Sequence, residues 1–543
     1  MDKESKAYPA SHVAIEAGAL KNFMRGYGLE PLRCYSFLGT ENSAHQLWDE
    51  KTRRYDKPVV EHNGVITGWF DPADHFPWLA NAMRNGTYSL GLLDGYLPAV
   101  NYVYRKEGSK TTCEMTAFAV DAPSPGGVVV HVRLLELNGG ELSGERYFKL
   151  GSAVASGQAD FAAALQSLRR RWETFFAAGK QFRCDDQELL DACKASLVRA
   201  LVTFTGKRPH YGVRSYGPGT VYGAEYGDGF PPTIISLVDC LLDWGQEALA
   251  CEYLAAFFED FVRDDGRVKY YIDPDIDGCS VAEYGQFLWL ANKCVAAGGT
   301  NEWLARLRPK LEAIRRWAWD AQGKAPDGLV AGAPEADLRK EVGVYFHNNA
   351  WLWRGLRDCA LTLGRPEDIE RCQNFRKLIL DSVDKHTVRS VIPPFIPPMP
   401  LKLEPFAKMR LEPHTFVDIN SYTNYRYWPE LLSSGILRPE QMEAIVAYRK
   451  SHEGETAGLT RIWTWADNWT MAEHAAGIHM LGWRDELIRL LFSHLAGHTT
   501  PETWTAYEQV SIESGSPRTF KADYCVPSQL VAPRLFAWLA ECD

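Results

Sequence analysis

Long apolar runs are missing from this sequence: nowhere do its 543 residues approach the roughly 18–20 consecutive apolar residues that a membrane-spanning helix needs. The opening stretch, MDKESKAYPASHVAIEAG, holds no apolar block of signal-peptide length, so a soluble, unprocessed protein is expected. Dense Lys/Arg runs are also missing, and the net charge is −10, which makes nucleic acid and anionic membrane poor partners. The 12 cysteines are scattered, without a CxxC pair or a Cys/His spacing that would hold zinc. Several, such as Cys240, Cys294 and Cys359, sit in apolar helical patterns, so most are expected to be reduced core thiols in a cytoplasmic protein.

Two motifs fall short of metal sites. Asp273-Pro274-Asp275-Ile276-Asp277-Gly278 begins like a calcium-binding EF-hand loop, but its twelfth position is Tyr284 and the glutamate falls one early, at Glu283. His474 and His479 are five apart and do not share a helix face as ligands four apart would. No metal and no cofactor is therefore expected.

What is abundant is aromatic: 18 Trp and 24 Tyr in a chain of otherwise ordinary composition, 46% apolar and 24% charged. Flat side chains suit the apolar faces of sugar rings, although a large aromatic core would account for any single one equally well. The length exceeds the ~250–300 residues at which one core stops growing, so more than one domain is expected.

Residues 1–155 read as β-rich. The runs Thr112–Val120, Gly127–Leu137 and Arg146–Leu150 are separated by turn clusters, the signature of an antiparallel β-sandwich. Trp48, Trp69, Phe70, Phe76 and Trp78 are its candidate surface aromatics. Residues 156–183 contain a helical connector (DFAAALQSLRRRWETFFAA), and 184–543 form an all-helical domain. Its helices are placed at 186–205, 231–244, 246–263, 281–298, 301–321, 347–363, 366–386, 422–435, 438–450, 467–482, 484–497 and 526–541. Tight links alternate with long polar connections at 206–230, 264–280, 322–346, 387–421, 451–466 and 498–525. In a closed ring of helical hairpins, this alternation puts every long connection at one end, and loops of such length are usually functional.

Several short stretches carry a resemblance. They are Cys184-Asp185-Asp186-Gln187-Glu188-Leu189 with Ala195-Ser196-Leu197, Asp277-Gly278 with Tyr284-Gly285-Gln286-Phe287-Leu288-Trp289, Ala350-Trp351 with Arg354-Gly355-Leu356, and Thr503-Trp504-Thr505-Ala506-Tyr507-Glu508. Together with the helix count, they make the chain resemble the six-hairpin glycosidases, which include glucoamylases, trehalases and processing glucosidases. The resemblance implies a mainly α protein, with a C-terminal (α/α)6 toroid behind an N-terminal antiparallel β-sandwich, acting on an oligosaccharide or glycoside.

Glycosidic hydrolysis needs one carboxylic acid to protonate the leaving oxygen and one carboxylate to activate water, held about 6.5–9.5 Å apart in inverting enzymes. The resemblance puts the acid in 327–345 and the base in 501–515. The acid is then Glu335, with Asp337 as rival, in an Ala333-Pro334-Glu335-Ala336-Asp337 segment that lacks the Ser and Gly of the trehalase-like pattern. The base is Glu508, with Glu513 as rival. A solvated loop carboxylate is the plain alternative for each.

Expected sugar contacts are Glu225, Tyr226 and Asp228 in one long connection and Arg461, Trp463, Trp465 and Asp467 in another, joined through the resemblance by Tyr284, Asn348 and Trp504. The reaction expected is exo-acting, inverting hydrolysis. The alternatives are a glycoside phosphorylase, for which Arg518 and Lys521 are the nearby cations, and a carbohydrate-binding protein on a degenerate barrel.

Overall fold

The computed structural model describes residues 10–33, 35–42, 48–49, 54–55, 57–123, 127–152, 157–212, 229–269, 280–335, 339, 341–401, 405, 419–462, 464–512, 518, 520–521 and 525–542. Its N-terminal part is built on one antiparallel meander of five strands, β1 (Tyr88–Leu92), β2 (Ala99–Arg105), β3 (Thr111–Asp121), β4 (Val128–Asn138) and β5 (Glu141–Leu150). Two further strand pairs of two residues each, Ser36–Phe37 with Val59–Val60 and Trp48–Asp49 with Arg54–Tyr55, are too short to make a clear second layer, so among the described residues the expected sandwich is not clearly formed. One face of the meander is covered by the segment around residues 57–85, through Val60, Ile66, Phe70, Phe76 and Leu79. The other face meets the connector helix α1 (Gln158–Ala178), where Phe118 and Phe161 pack edge to face at 5.2 Å.

Burial on both faces explains why the first half of β4, VVVHV, is continuously apolar instead of alternating. It also corrects the reading of the aromatics. Phe70 and Phe76 belong to the core, and Trp78 is half-buried, its Nε1 donating to Glu136 Oε1 at 2.9 Å.

Among the described residues, twelve helical segments follow in the expected alternation. The outer ones are α2 (Gln187–Thr203), α4 (Glu247–Phe261), α6 (Asn301–Lys324), α8 (Pro366–His386), α11 (Pro439–Ser451) and α13 (Arg484–Gly497). The inner ones are α3 (Pro231–Asp243), α5 (Val281–Ala297), α7 (Phe346–Leu363), the broken helix α9 (Ile419–Tyr422) and α10 (Trp428–Ser433), α12 (Met471–Met480), and the pair α14 (Val526–Gln529) and α15 (Val531–Cys542). A single π turn, Thr423–Tyr427, joins α9 to α10.

The inner helices pack in the order α3, α5, α7, α10, α12, α15, and α15 returns to α3. The ring therefore closes, and its inner helices are buried nearly all round, as two-sided packing demands. Between α5 and α7 the backbones touch. A methyl group on Gly285 would overlap the Trp351 carbonyl, and one on Gly355 would overlap Gly285.

Because every inner helix follows a long connection, the N-terminal ends of all six lie at one end of the ring. Two of these connections pair there as an antiparallel sheet: β6 (Glu455–Thr456), β7 (Leu459–Ile462), β8 (Trp465–Asp467), β9 (Gln509–Ser511) and β10 (Phe520–Lys521). The N-terminal part is fastened to the ring by buried cations. Lys57 donates to the carbonyls of Val202, Thr203 and Phe204 at the end of α2, which offsets the negative end of that helix. Arg199 of α2 donates to Ser36 Oγ at 2.8 Å and to the Thr503 carbonyl at 2.7 Å. Among the described residues no helix is long and apolar enough to cross a membrane.

Candidate active site at the loop end of the ring

The π turn carries Tyr422-Thr423-Asn424-Tyr425-Arg426-Tyr427 into the loop end, and Arg426 gathers three carboxylates there. Its Nε donates to Glu430 Oε1 of α10 at 2.6 Å, Nη1 to Glu335 Oε2 at 3.1 Å and Nη2 to Glu283 Oε1 of α5 at 2.8 Å. All four side chains are buried. Burial opposes the charge on Arg426, but Glu430, Glu283 and Glu335 together outweigh it and hold the guanidinium well above its ordinary value. Three carboxylates around one cation leave an excess of negative charge, which appears at Glu430. Burial pushes its carboxyl up to about 7 against the pull of Arg426.

Glu430 Oε2 has no hydrogen-bond partner among the described residues and lies 3.8 Å from His347 Nε2. Burial holds His347 neutral, lowering it to about 3. Its ring stacks on Tyr427 at 4.6 Å, and Nε2 is 3.3 Å from the Pro334 carbonyl, so it braces the residue before Glu335.

Beside this cluster runs an aromatic row. Tyr422 meets Tyr425 at 5.5 Å and Tyr427 at 5.9 Å, Tyr345 meets Tyr427 at 5.2 Å, and Trp469 donates its Nε1 proton to the Tyr425 hydroxyl. Tyr211, Phe230, Ile462 and the half-buried Trp465 extend the row. The small loop sheet brings the second carboxylate to it. Asp467 pairs with Gln509 in the register of β8 and β9, and Gln509 Nε2 donates to Asp467 Oδ2 at 2.8 Å, which places Glu508 at the head of β9. Burial, Asp467, Tyr422 and Glu508 all raise the Tyr425 phenol, while Glu335 is among the charges raising Tyr427. Glu335 and Glu508 thus act on neighbouring tyrosines of one row.

The expected residues separate on these grounds. Glu335, Glu508, Trp465 and Asp467 come together at this end. Arg461 is in β7 beside it, with Nη1 3.2 Å from Glu453 and its carbonyl accepting from Asn424. Asn348 is buried as scaffold: its Oδ1 accepts from the Ala282 amide at 3.1 Å, and its Nδ2 donates to the Ala333 carbonyl at 3.0 Å. Tyr284 stacks on Trp317 of the outer helix α6 at 4.5 Å, and Trp504 lies in the main core. Trp504 has a φ of 54°, a conformation that costs a bulky residue on the order of 1–3 kcal/mol and tightens the turn leading to Glu508. Asp337, Glu513, Glu225, Tyr226, Asp228, Trp463 and the Asp273–Gly278 motif lie outside the described residues.

Sequence reading missed Arg426, Glu430 and His347, and took Glu283 only as a failed calcium ligand. Glu283 instead completes a capping box with Ser280, accepting from the Ser280 amide at 2.6 Å, and points its other oxygen at Arg426. The available signal was Arg426 followed four residues later by Glu430 inside a run of four aromatic residues, Tyr422, Tyr425, Tyr427 and Trp428.

No family model and no curated protein matches this sequence. Similar solved structures include a bacterial glucoamylase complexed with acarbose, 10% identical over 94% of this chain and 88% of that one, with a TM-score of 0.49. Another is a family 76 α-mannanase from Bacteroides thetaiotaomicron, 10% identical over 65% of this chain and 95% of that one, with a TM-score of 0.40. A third is an unsaturated glucuronyl hydrolase specific for heparin, 12% identical over 65% of this chain and 97% of that one, with a TM-score of 0.41. At such identities and scores, what the chain does has to be read from its own residues.

Proposed function

We propose that this chain is a glycoside hydrolase, exo-acting and inverting, which removes a terminal sugar from an oligosaccharide or glycoside. The observation that carries the proposal is that two different long connections bring carboxylates, Glu335 and Glu508, to neighbouring tyrosines of one row at the loop end of a closed helical ring. Glycosidic hydrolysis requires an acid and a base, and these two connections, each with two candidate carboxylates, are where they would come from. Arg426 also ties Glu283 of α5, Glu430 of α10 and Glu335 together at this end, a buried floor that favours end-on binding of a terminal residue.

In this reading Glu508, half-buried, is the base, with Glu513 as its rival. The connection ahead of α7 supplies the acid. Both oxygens of Glu335 are engaged, Oε2 by Arg426 Nη1 at 3.1 Å and Oε1 by the Arg339 amide. Glu335 is then the anchor that orders the loop, and Asp337 is the proton donor. Arg518 is held by backbone carbonyls, its Nε by Ser511 and its Nη1 by Glu30 and Gly497, so it serves the scaffold more than a phosphate site.

The test is a panel of aryl glycosides and oligosaccharides, with and without phosphate, with the anomer of the product read by NMR. Phosphate-independent release of one inverted sugar supports the proposal. Strict dependence on phosphate, or saturable binding with no product, contradicts it.

A further inference from the structure

At the opposite end of the ring, where the tight turns lie, the six inner helices enclose a cavity of about 310 Å3. Lys293, which lines it, is ten residues beyond Glu283 on α5, or about 15 Å along the helix at ~1.5 Å per residue. At its near end the cavity reaches Gln286, three residues beyond Glu283, and Ser433, three beyond Glu430, so it begins one helical turn past the loop-end cluster and shares no residue with it. Its volume is at the small end of the roughly 300–1,000 Å3 typical of ligand sites, enough for one small ring.

Three indoles, Trp289, Trp351 and Trp538, line it, with Trp289 and Trp351 at 5.2 Å and inclined by 60°. A buried charge network forms the remaining wall. Arg534 Nη2 donates to Asp239 Oδ2 at 2.9 Å, its Nη1 donates to Glu473 Oε1 at 3.2 Å, and Lys293 bridges Asp239 and Asp243.

Three residues that line the cavity each carry a buried polar atom with no partner among the described residues: Arg534 Nε, Glu473 Oε2 and Trp351 Nε1. The three residues are only 5%, 7% and 3% exposed, so water does not satisfy these atoms freely from bulk. An unpaired buried polar group costs about 1–3 kcal/mol, and three of them lining one cavity mark the place where a ligand completes the network. Two of the atoms are donors and one is an acceptor. An ammonium ligand would satisfy Glu473 and face Arg534 with like charge, whereas a carboxylate would do the reverse. Hydroxyl groups both donate and accept, and a ring that carries several of them also has an apolar face for an indole.

We infer that this cavity is a second sugar site, which holds a single pyranose by its hydroxyls on Glu473, Arg534 and Trp351 and by its face on Trp289 or Trp538. It is distinct from the loop-end site and does not depend on the activity assigned there.

Isothermal titration calorimetry with D-glucose, D-mannose, D-galactose, D-xylose and their methyl glycosides tests it, with spermidine as the cationic probe. The protein used is the double variant Glu508→Gln/Trp465→Ala, which disables the loop end. Saturable binding of at least one pyranose is expected, weakened tenfold or more by Trp289→Leu, which replaces a half-exposed ring, and by Glu473→Gln. Circular dichroism of each variant separates lost binding from lost fold. No saturable binding by any of the sugars to the folded double variant, binding untouched by both cavity substitutions, or binding of spermidine in their place would overturn the inference.

Discussion

Arg426 and Glu430 stand one helical turn apart and share a buried hydrogen bond of 2.6 Å, yet the other oxygen of Glu430 has no hydrogen-bond partner among the described residues. The guanidinium pairs with all three carboxylates of that cluster. Replacing Arg426 by Met should therefore cost at least ~3–5 kcal/mol, because it leaves buried charges uncompensated. Arg426→Lys should recover only part of this, since an ammonium cannot reproduce the fork. Urea denaturation of the two variants measures both.

Gly285 and Gly355 supply a second prediction. Alanine inside a helix ordinarily gains up to ~1 kcal/mol over glycine. Here the added methyl meets opposing backbone, so Gly285→Ala and Gly355→Ala should each destabilise by ~1–3 kcal/mol or more, seen as a lower urea midpoint.

These glycines illustrate what was legible in the sequence. Helical periodicity, with alternating short and long links, locates the twelve helical segments within a few residues, because an inner helix buried on all sides must be apolar all round. The N-terminal strands are equally legible, but their layering is not. Strand patterns report which residues are buried and do not say whether a second sheet, a helix or a loop covers them, and so Phe70 and Phe76 were misplaced. At the site, the long polar connections that carry Glu335 and Glu508 are legible as loops of one rim, while the roles of these residues rest on the proposal. Arg426 was not legible, because its importance comes from three carboxylates that only the closed ring brings together. The sheet formed by β6 to β10 escaped notice since its strands are only two to four residues long.

Stability should fall as the pH drops below about 6.5. Burial lowers His347 and His498 to about 3 and takes His474 and His494 well below their ordinary value. Each keeps its full contribution above the unfolded value near 6.5 and loses it as pH falls toward the folded value. Glu430, raised to about 7, and Asp243, raised by burial to about 6, act in the opposite sense, their contributions fading as pH rises through those values. Four histidines against two carboxyls leave a net loss of ~3 kcal/mol per pH unit between pH 6 and 5. Melting temperatures across pH 5–7.5 check the sign.

The two carboxylates ahead of α7 should behave differently. Asp337→Asn should lower kcat by ~10²–10⁴-fold at unchanged stability. Glu335→Gln should lower activity and melting temperature together, as the Arg426 contact weakens. Full turnover in Asp337→Asn, with a stable but inactive Glu335→Gln, would return the acid role to Glu335.

The most direct measurement is single-sugar release by the wild-type protein and by Glu508→Gln, followed by NMR on the best substrate of the panel. The wild type should release one terminal sugar with inverted configuration, and Glu508→Gln should bind the same substrate and release none. Equal release by both proteins, or retained configuration in the product, would contradict the account.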